Sequence, residues 1–352
     1  MLQVIKPGGI APVYNCMLSI KDQRTALNFS GALGLTREHG EPVSSNSCFR
    51  CGSITKLFTA VVIFQMIEEE LFSLDHAYLD LVGTDVANTV NRLHYFEQTD
   101  YSSKISVRNL LQHSSGLRDY FSEDERFLTY VMQHPSQSWN WESVMDKYFE
   151  IGLNLRPLFA PGNGFHYSDT NYLLLAILIE QMTKKSLQHV YREQIITPLG
   201  LNDTYLEFYE IPSTVNPVIF PYYGSQSLAG INTSFDWGGG GLVSTMKDLG
   251  AFIRSLVKGV LFKKPESVEN MMRQWNVHSK MKSSGYSFRY GLGMQEKDYQ
   301  GYSFVGHNSA YGSILFYEPE KDISIVISLN QVLAISKSEW LMKKVVMELR
   351  SL

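Results

Sequence analysis

Phe49-Arg50-Cys51-Gly52-Ser53-Ile54-Thr55-Lys56-Leu57-Phe58-Thr59-Ala60 runs from a glycine turn straight into an apolar helix. Apolar residues at Leu57, Val61, Phe64 and Ile67 continue at helical spacing, and Glu68-Glu69-Glu70 closes the segment on its wet side. A helix that starts at Ser53 places Lys56 one turn on and on the same face. That suits a nucleophile and its proton acceptor. A serine hydroxyl attacks poorly until a neighbour takes its proton, and an amine serves if burial or other cations disfavour its charged form. The free N–H groups and positive dipole end of the helix start favour negative charge beside Ser53. Against this stands a plainer reading, a capping serine with a solvated lysine, because S-x-x-K alone is a weak signal.

The rest of the chain sets the context. At 352 residues and 44% hydrophobic composition it buries a sizeable core, as one large unit or two closely packed lobes. A net charge of −4 argues against a nucleic-acid partner. Apolar runs such as Leu173 to Ile179 are too short to span a bilayer, so no transmembrane segment is expected. The opening residues lack the basic stretch and apolar core of a secretory signal. The three cysteines, an odd count, exclude a complete disulfide framework and lean toward a reducing compartment. A cytoplasmic location is expected unless an export signal has been removed. Cys48 and Cys51 have metal-ligand spacing, but no second Cys/His pair completes a site, and neither a metal nor another cofactor is expected.

Residues 11–20 and 25–36 read as a hairpin around Lys21-Asp22-Gln23-Arg24, followed by the helix from Ser53 to about Leu71. A second helical pattern covers Ile105 to Leu111. After the turn Pro161-Gly162-Asn163-Gly164, Ser168 or Asp169 caps an apolar helix from about Thr170, with Tyr167 just before it. The run Trp237-Gly238-Gly239-Gly240-Gly241 is as glycine-dense as a phosphate loop but lacks its G-K-[ST] ending. Ser244 or Thr245 caps the helix through Phe252 and Leu256. Residues 301–305, 311–317 and 323–329 read as strands, and Ser338 to Leu349 as a closing helix.

Taken together, these residues resemble the serine β-lactamase and penicillin-binding-protein family, in its class C-like branch of carboxypeptidases, D-aminopeptidases and esterases. Ser53-x-x-Lys56 resembles the first motif and Tyr167-Ser168-Asp169 the second, usually Y-x-N. His307-Asn308-Ser309 resembles the third, usually K-T-G or H-x-G. Leu110–Leu117, Pro198–Thr204 and Gly240–Thr245 resemble accessory stretches. No G-x-S-x-G elbow occurs.

The resemblance implies an α/β (α+β) β-lactamase/transpeptidase-like fold: an antiparallel sheet flanked by helices, formed by residues 1–59 and 236–352, and a mostly helical lobe over 60–235. It implies a serine hydrolase of the β-lactamase/D-alanyl-D-alanine carboxypeptidase type, with a small-molecule or peptide amide or ester as substrate. Ser53 would be acylated, Lys56 and Tyr167 would move protons, and the N–H groups of Ser53 and Ala310 would form the oxyanion hole. His307, Asn308, Ser309 and Asp169 would complete the substrate-binding set. Tyr167 serves as a base only if cations such as Lys56 or a protonated His307 lower its pKa. Two positions depart from the pattern: Asp169 replaces an asparagine and, beside Lys56, favours the ammonium form, and Ser309 replaces a glycine. A competing reading is a penicillin-binding or sensor-like protein with little turnover. His113 reads as a structural hydrogen-bonding group. Arg118, Arg156, Arg273 and Arg289 are candidates to hold a substrate carboxylate.

Overall fold

The computed structural model describes residues 1–279, 281–283 and 286–351, so residues 280, 284, 285 and 352 of the expected sheet lobe lie outside the described residues. Eight antiparallel strands form the main sheet, in the order Met281–Ser283, Tyr286–Tyr290, Gln295–Tyr299, Tyr302–Asn308, Ser313–Glu318, Ile323–Ser328, Asn15–Asp22, Leu27–Gly34. The two ends of the chain therefore meet in one sheet, with Leu18 opposite Ile327 and Ile20 opposite Ile325. This register follows from the period of two, which sends alternate side chains to opposite faces. Ile314 and Phe316 pack with Leu341, Met342 and Val346 of the closing helix Ile335–Leu349. Leu315 and Tyr317 point the other way and share a core with Leu249, Phe252 and Ile253 of the helix Met246–Val257.

That parity decides where the third-motif residues point. His307 lies opposite Leu315, and Asn308 lies opposite Ile314. The two neighbours thus project to opposite faces of the sheet.

The hairpin expected near residues 11–36 spans Asn15–Asp22 and Leu27–Gly34, turned by Gln23–Ala26. The helix expected from Ser53 begins instead with a 3₁₀ turn, Gly52–Ile54, and continues as an α-helix over Thr55–Glu68. Nearly every residue of that helix is buried, which marks it as central rather than amphipathic. It packs against the helix Asp169–Thr183, buried from Thr170 through Ile179. Thr245 caps the helix Met246–Val257 by accepting from the Asp248 N–H at 3.2 Å. A smaller four-stranded sheet joins Tyr205–Leu206, Leu242–Ser244, Cys48–Arg50 and Val218–Ile219. It ties residues 205–219 to the strand that leads into Ser53, and the Cys51 N–H donates to the Leu242 carbonyl at 2.7 Å.

Cys16, Cys48 and Cys51 are free and buried, and burial pushes the thiols of Cys16 and Cys48 up to about 12, which leaves them protonated and unreactive.

Beneath the third-motif strand lies a buried ion pair. Lys297 pairs with Glu339 of the closing helix, which also accepts from the Tyr299 hydroxyl and, at 3.4 Å, from the Asn308 amide. Burial pulls the Lys297 pKa down, and the Glu339 carboxylate opposes it. Removing one partner of such a pair weakens the compensation of the buried charge that remains. Glu339→Ala should therefore lower unfolding stability by about 3 kcal/mol in a denaturant titration. A loss under about 1 kcal/mol would show that the pair does not hold the closing helix to the sheet.

Candidate active site

Four segments far apart in sequence build the site. Its corner is the turn at Gly52, where the strand Cys48–Arg50 passes into the helix. Gly52 has φ +52°, and a Cβ there would stand 2.2 Å from Ser309 Oγ, so glycine is required by both conformation and space. The turn delivers Ser53, half-buried, to the base of the helix.

Lys56 is fully buried. Its ammonium donates to Ser53 Oγ at 3.2 Å and to the Gly239 carbonyl at 2.8 Å, and it pairs with the Asp169 carboxylate. The glycine-rich run sits here for that reason: a Cβ on Gly239 would lie 3.2 Å from Asp169 Oδ1 and 3.6 Å from Lys56 Nζ. Burial pulls the Lys56 pKa down, but the Asp169 carboxylate, with Tyr167 adding to it, offsets this, and the net shift is upward. At rest the proton stays on Lys56.

The Tyr167 ring lies 5.0 Å from Lys56 Nζ, and its buried hydroxyl stands beside Ser53 and Lys56, outside close hydrogen-bond geometry. Burial pushes its pKa up to about 12, although Lys56 beside it works in the opposite direction. The lowering that a phenolate base requires is thus absent at rest. His307 does not supply it, since burial, reinforced by Lys56, drives its pKa down to about 3. It is a neutral imidazole, with Nδ1 2.5 Å from the Asn308 carbonyl and Nε2 3.0 Å from the Tyr290 hydroxyl. A protonated His307, one of the two cations that could have lowered the Tyr167 pKa, is disfavoured by burial and by Lys56 beside it.

Asn308, grouped by sequence with the substrate-binding residues, is directed to the other face, where its amide bonds Gln295 at 2.9 Å and approaches Glu339. It touches the site only through the strand. Ser309 and Ala310 follow the end of that strand in the turn to Ser313–Glu318. Ser309 Oγ accepts from the Tyr311 N–H at 3.1 Å, and Ala310 is exposed at the tip of the turn. His113 has the structural part expected of it. Its Nδ1 accepts from the Ser168 N–H at 3.1 Å and the Asn171 amide at 3.0 Å, while burial drives its pKa well below the usual value. Ser168 begins the following helix, but its hydroxyl donates to the Arg118 carbonyl rather than capping.

Two carboxyl groups that sequence did not single out stand close by. Asp119 accepts the Asp169 N–H at 3.0 Å, and Asp236 accepts the Tyr311 hydroxyl at 2.7 Å. Burial pushes each up to about 7, with Asp169 adding like-charge repulsion. Arg118, Arg156 and Arg289 are already paired with Glu123, Asp124 and Glu296.

With this geometry in view, the comparisons with known proteins are consistent in kind. The Beta-lactamase family matches residues 20–338, and the chain belongs to that family. The chain is 28% identical over 174 residues to penicillin-binding protein 4* of Bacillus subtilis (strain 168), covering 46% of this chain and 31% of that protein. It is 24% identical over 335 residues to D-aminopeptidase of Cereibacter sphaeroides (strain ATCC 17029 / ATH 2.4.9), covering 92% of this chain and 57% of that one. The chain thus spans less than two thirds of the length of these curated relatives. Among solved structures, a D-stereospecific amidohydrolase from Streptomyces sp. shares the fold, with a TM-score of 0.73, 24% identity, and coverage of 93% of this chain and 92% of that one.

The Lys56–Asp169 pair generates a prediction. Asp169→Asn removes the charge that holds the Lys56 pKa up, so acylation that depends on the free amine should reach its half-maximal rate at lower pH. A pH–rate profile for acylation by p-nitrophenyl acetate that does not move toward acid would contradict the coupling.

Proposed function

We propose that this chain is a serine hydrolase of the β-lactamase and penicillin-binding-protein superfamily, cleaving an amide or ester through an acyl-enzyme on Ser53. The observation that carries this reading is Ser53 Oγ held 3.2 Å from a fully buried lysine, with the Tyr167 hydroxyl buried beside them. Ser53 attacks the carbonyl carbon as its proton passes to Lys56 in its amine form. The oxyanion is met by the backbone N–H groups of Ser53 and Ala310, each such donor being worth about 3 kcal/mol of barrier. Tyr167 passes its proton to the departing amine or alcohol and regains one from Lys56, and water then releases the acyl group by the reverse path, its proton passing through the same groups back to Ser53.

Within that reaction class, an aminopeptidase, amidase or esterase fits better than a carboxypeptidase. A C-terminal carboxylate calls for an available cation, yet three of the four candidate arginines are already paired, the fourth, Arg273, stands exposed at the end of the helix Pro265–Arg273, and His307 is neutral. The D-aminopeptidase relative, aligned over 92% of this chain, supports the same choice. The competing reading, a binding protein with little turnover, draws support from the resting protonation: Lys56 held cationic and Tyr167 held neutral both slow proton transfer.

Ser53→Ala removes one acceptor of the buried Lys56 ammonium but leaves the Asp169 carboxylate and the Gly239 carbonyl, so the variant should fold with a stability loss of about 1–3 kcal/mol. Intact mass after exposure to a fluorescent penicillin or a p-nitrophenyl ester should show one added acyl group in the parent and none in the variant. Retained labelling on another serine would overturn the assignment. Rapid loss of the label marks the hydrolase, and a label stable for hours marks the binding protein.

A further inference from the structure

A cavity of about 510 Å³ opens between the helix Glu125–Gln133, the segment around Leu228 to Phe235, and the turn at Ala310 and Tyr311. That volume suits a small organic group. Its wall is predominantly apolar, with Leu128, Met132, Leu228, Ile231 and Phe235. Phe235 is held by Phe121 stacked at 5.7 Å and by Phe127 and Trp139 edge-on at 5.4 and 6.0 Å, which makes this side of the cavity rigid. Among the described residues, lysine, arginine and histidine are absent from the lining, and the one charged residue is Glu125.

The cavity adjoins the Ser53 corner. Ala310, the proposed oxyanion donor, and Tyr311 both line it. The Tyr311 ring is so close to the corner that a Cβ on Gly52 would stand 2.9 Å from it, and the Tyr311 hydroxyl is anchored on Asp236 at 2.7 Å. Lys56 and Tyr167, the groups that must hand a proton to the leaving group, do not line it. Ser53 does not line it either, so the cavity meets the corner through Ala310 and Tyr311, and a leaving group protonated by Tyr167 would depart away from it, leaving the cavity for the half of the substrate that stays on Ser53.

We infer that this cavity is the acyl pocket and that it selects an uncharged, apolar acyl group, an alkyl chain of medium length or an aryl group. The inference rests on the hydrolase reading above and names its substrate class. An acyl group bearing a carboxylate would be desolvated against an apolar wall with no cation to meet it, and with Glu125 and Asp236 nearby.

The test is a series of p-nitrophenyl esters from acetyl to decanoyl, with the leaving group constant, assayed on the parent, Leu128→Trp and Leu128→Lys after circular dichroism shows that each variant is folded. In the parent, kcat/KM should rise by up to about fourfold per methylene, reaching about 100-fold from acetyl to octanoyl with incomplete burial. Leu128→Trp should lower the octanoyl-to-acetyl ratio of kcat/KM at least about tenfold. Leu128→Lys should lower octanoyl turnover and raise that of a succinyl ester. Acylation of Ser53 with no dependence on chain length, or equal losses for acetyl and octanoyl esters in Leu128→Trp, would overturn the pocket assignment alone. Failure of every ester to acylate Ser53 would overturn the hydrolase reading and the pocket with it.

Discussion

A lysine ammonium with no exposed surface is the constraint around which this molecule is arranged. Taking that charge out of water is costly unless it is paired and fully hydrogen-bonded. Lys56 meets the requirement with three acceptors, Ser53 Oγ, the Asp169 carboxylate and the Gly239 carbonyl, drawn from segments 113 and 183 residues away as well as from its own turn. The central helix, the helix starting at Asp169 and the glycine run must therefore close on one point. Glycine at 239 lets the carbonyl approach, and the neighbouring Gly238 carbonyl accepts from Thr59 one turn further along the same helix, at 2.6 Å. The proposed nucleophile lies at the edge of this assembly, where the helix meets the sheet.

The charge also governs its surroundings. With Lys56 protonated and the interior dry, His113 and His307 are held neutral, so neither competes as a cation. Asp119 and Asp236 are pushed toward neutrality by burial and by Asp169. Replacing the usual asparagine by Asp169 thus gives the lysine a full counter-charge, and the acceptor role of Lys56 in the proposed reaction is reached only after that attraction is overcome. Ser309 adds a steric fix: its hydroxyl fills the space over Gly52 and accepts the Tyr311 N–H, binding the turn that carries Ala310 to the nucleophile's corner.

How much of this was legible in the sequence follows from how local each feature is. Ser53 and Lys56 could be read because their relation spans one helical turn, and the outer hairpins because their alternation is regular. The strand Gln295–Tyr299 could not, because its buried positions are Gln295, Lys297 and Tyr299, an inversion of the usual pattern that only the distant Glu339 makes tolerable. The helix at Asp169 was placed correctly, but Ser168 turned its hydroxyl to Arg118 instead of capping. Asp236 and Tyr290 carry no local signal, because their partners, Tyr311 and His307, lie 75 and 17 residues away. Asn308 illustrates the limit from the other side: a motif gives the strand, while pairing register decides which face each residue serves.

The ionisation of Lys56 is the claim on which the rest of this account turns, and it is directly observable. Carbon-13 labelling of lysine Cε, with Lys56 assigned by comparison with Lys56→Arg, follows that side chain alone through a pH titration. The account predicts that Lys56 stays protonated beyond the pKa of about 10.4 at which exposed lysines titrate. Loss of its proton below about pH 8 would contradict the ion pair with Asp169 and make Lys56 a free amine at rest.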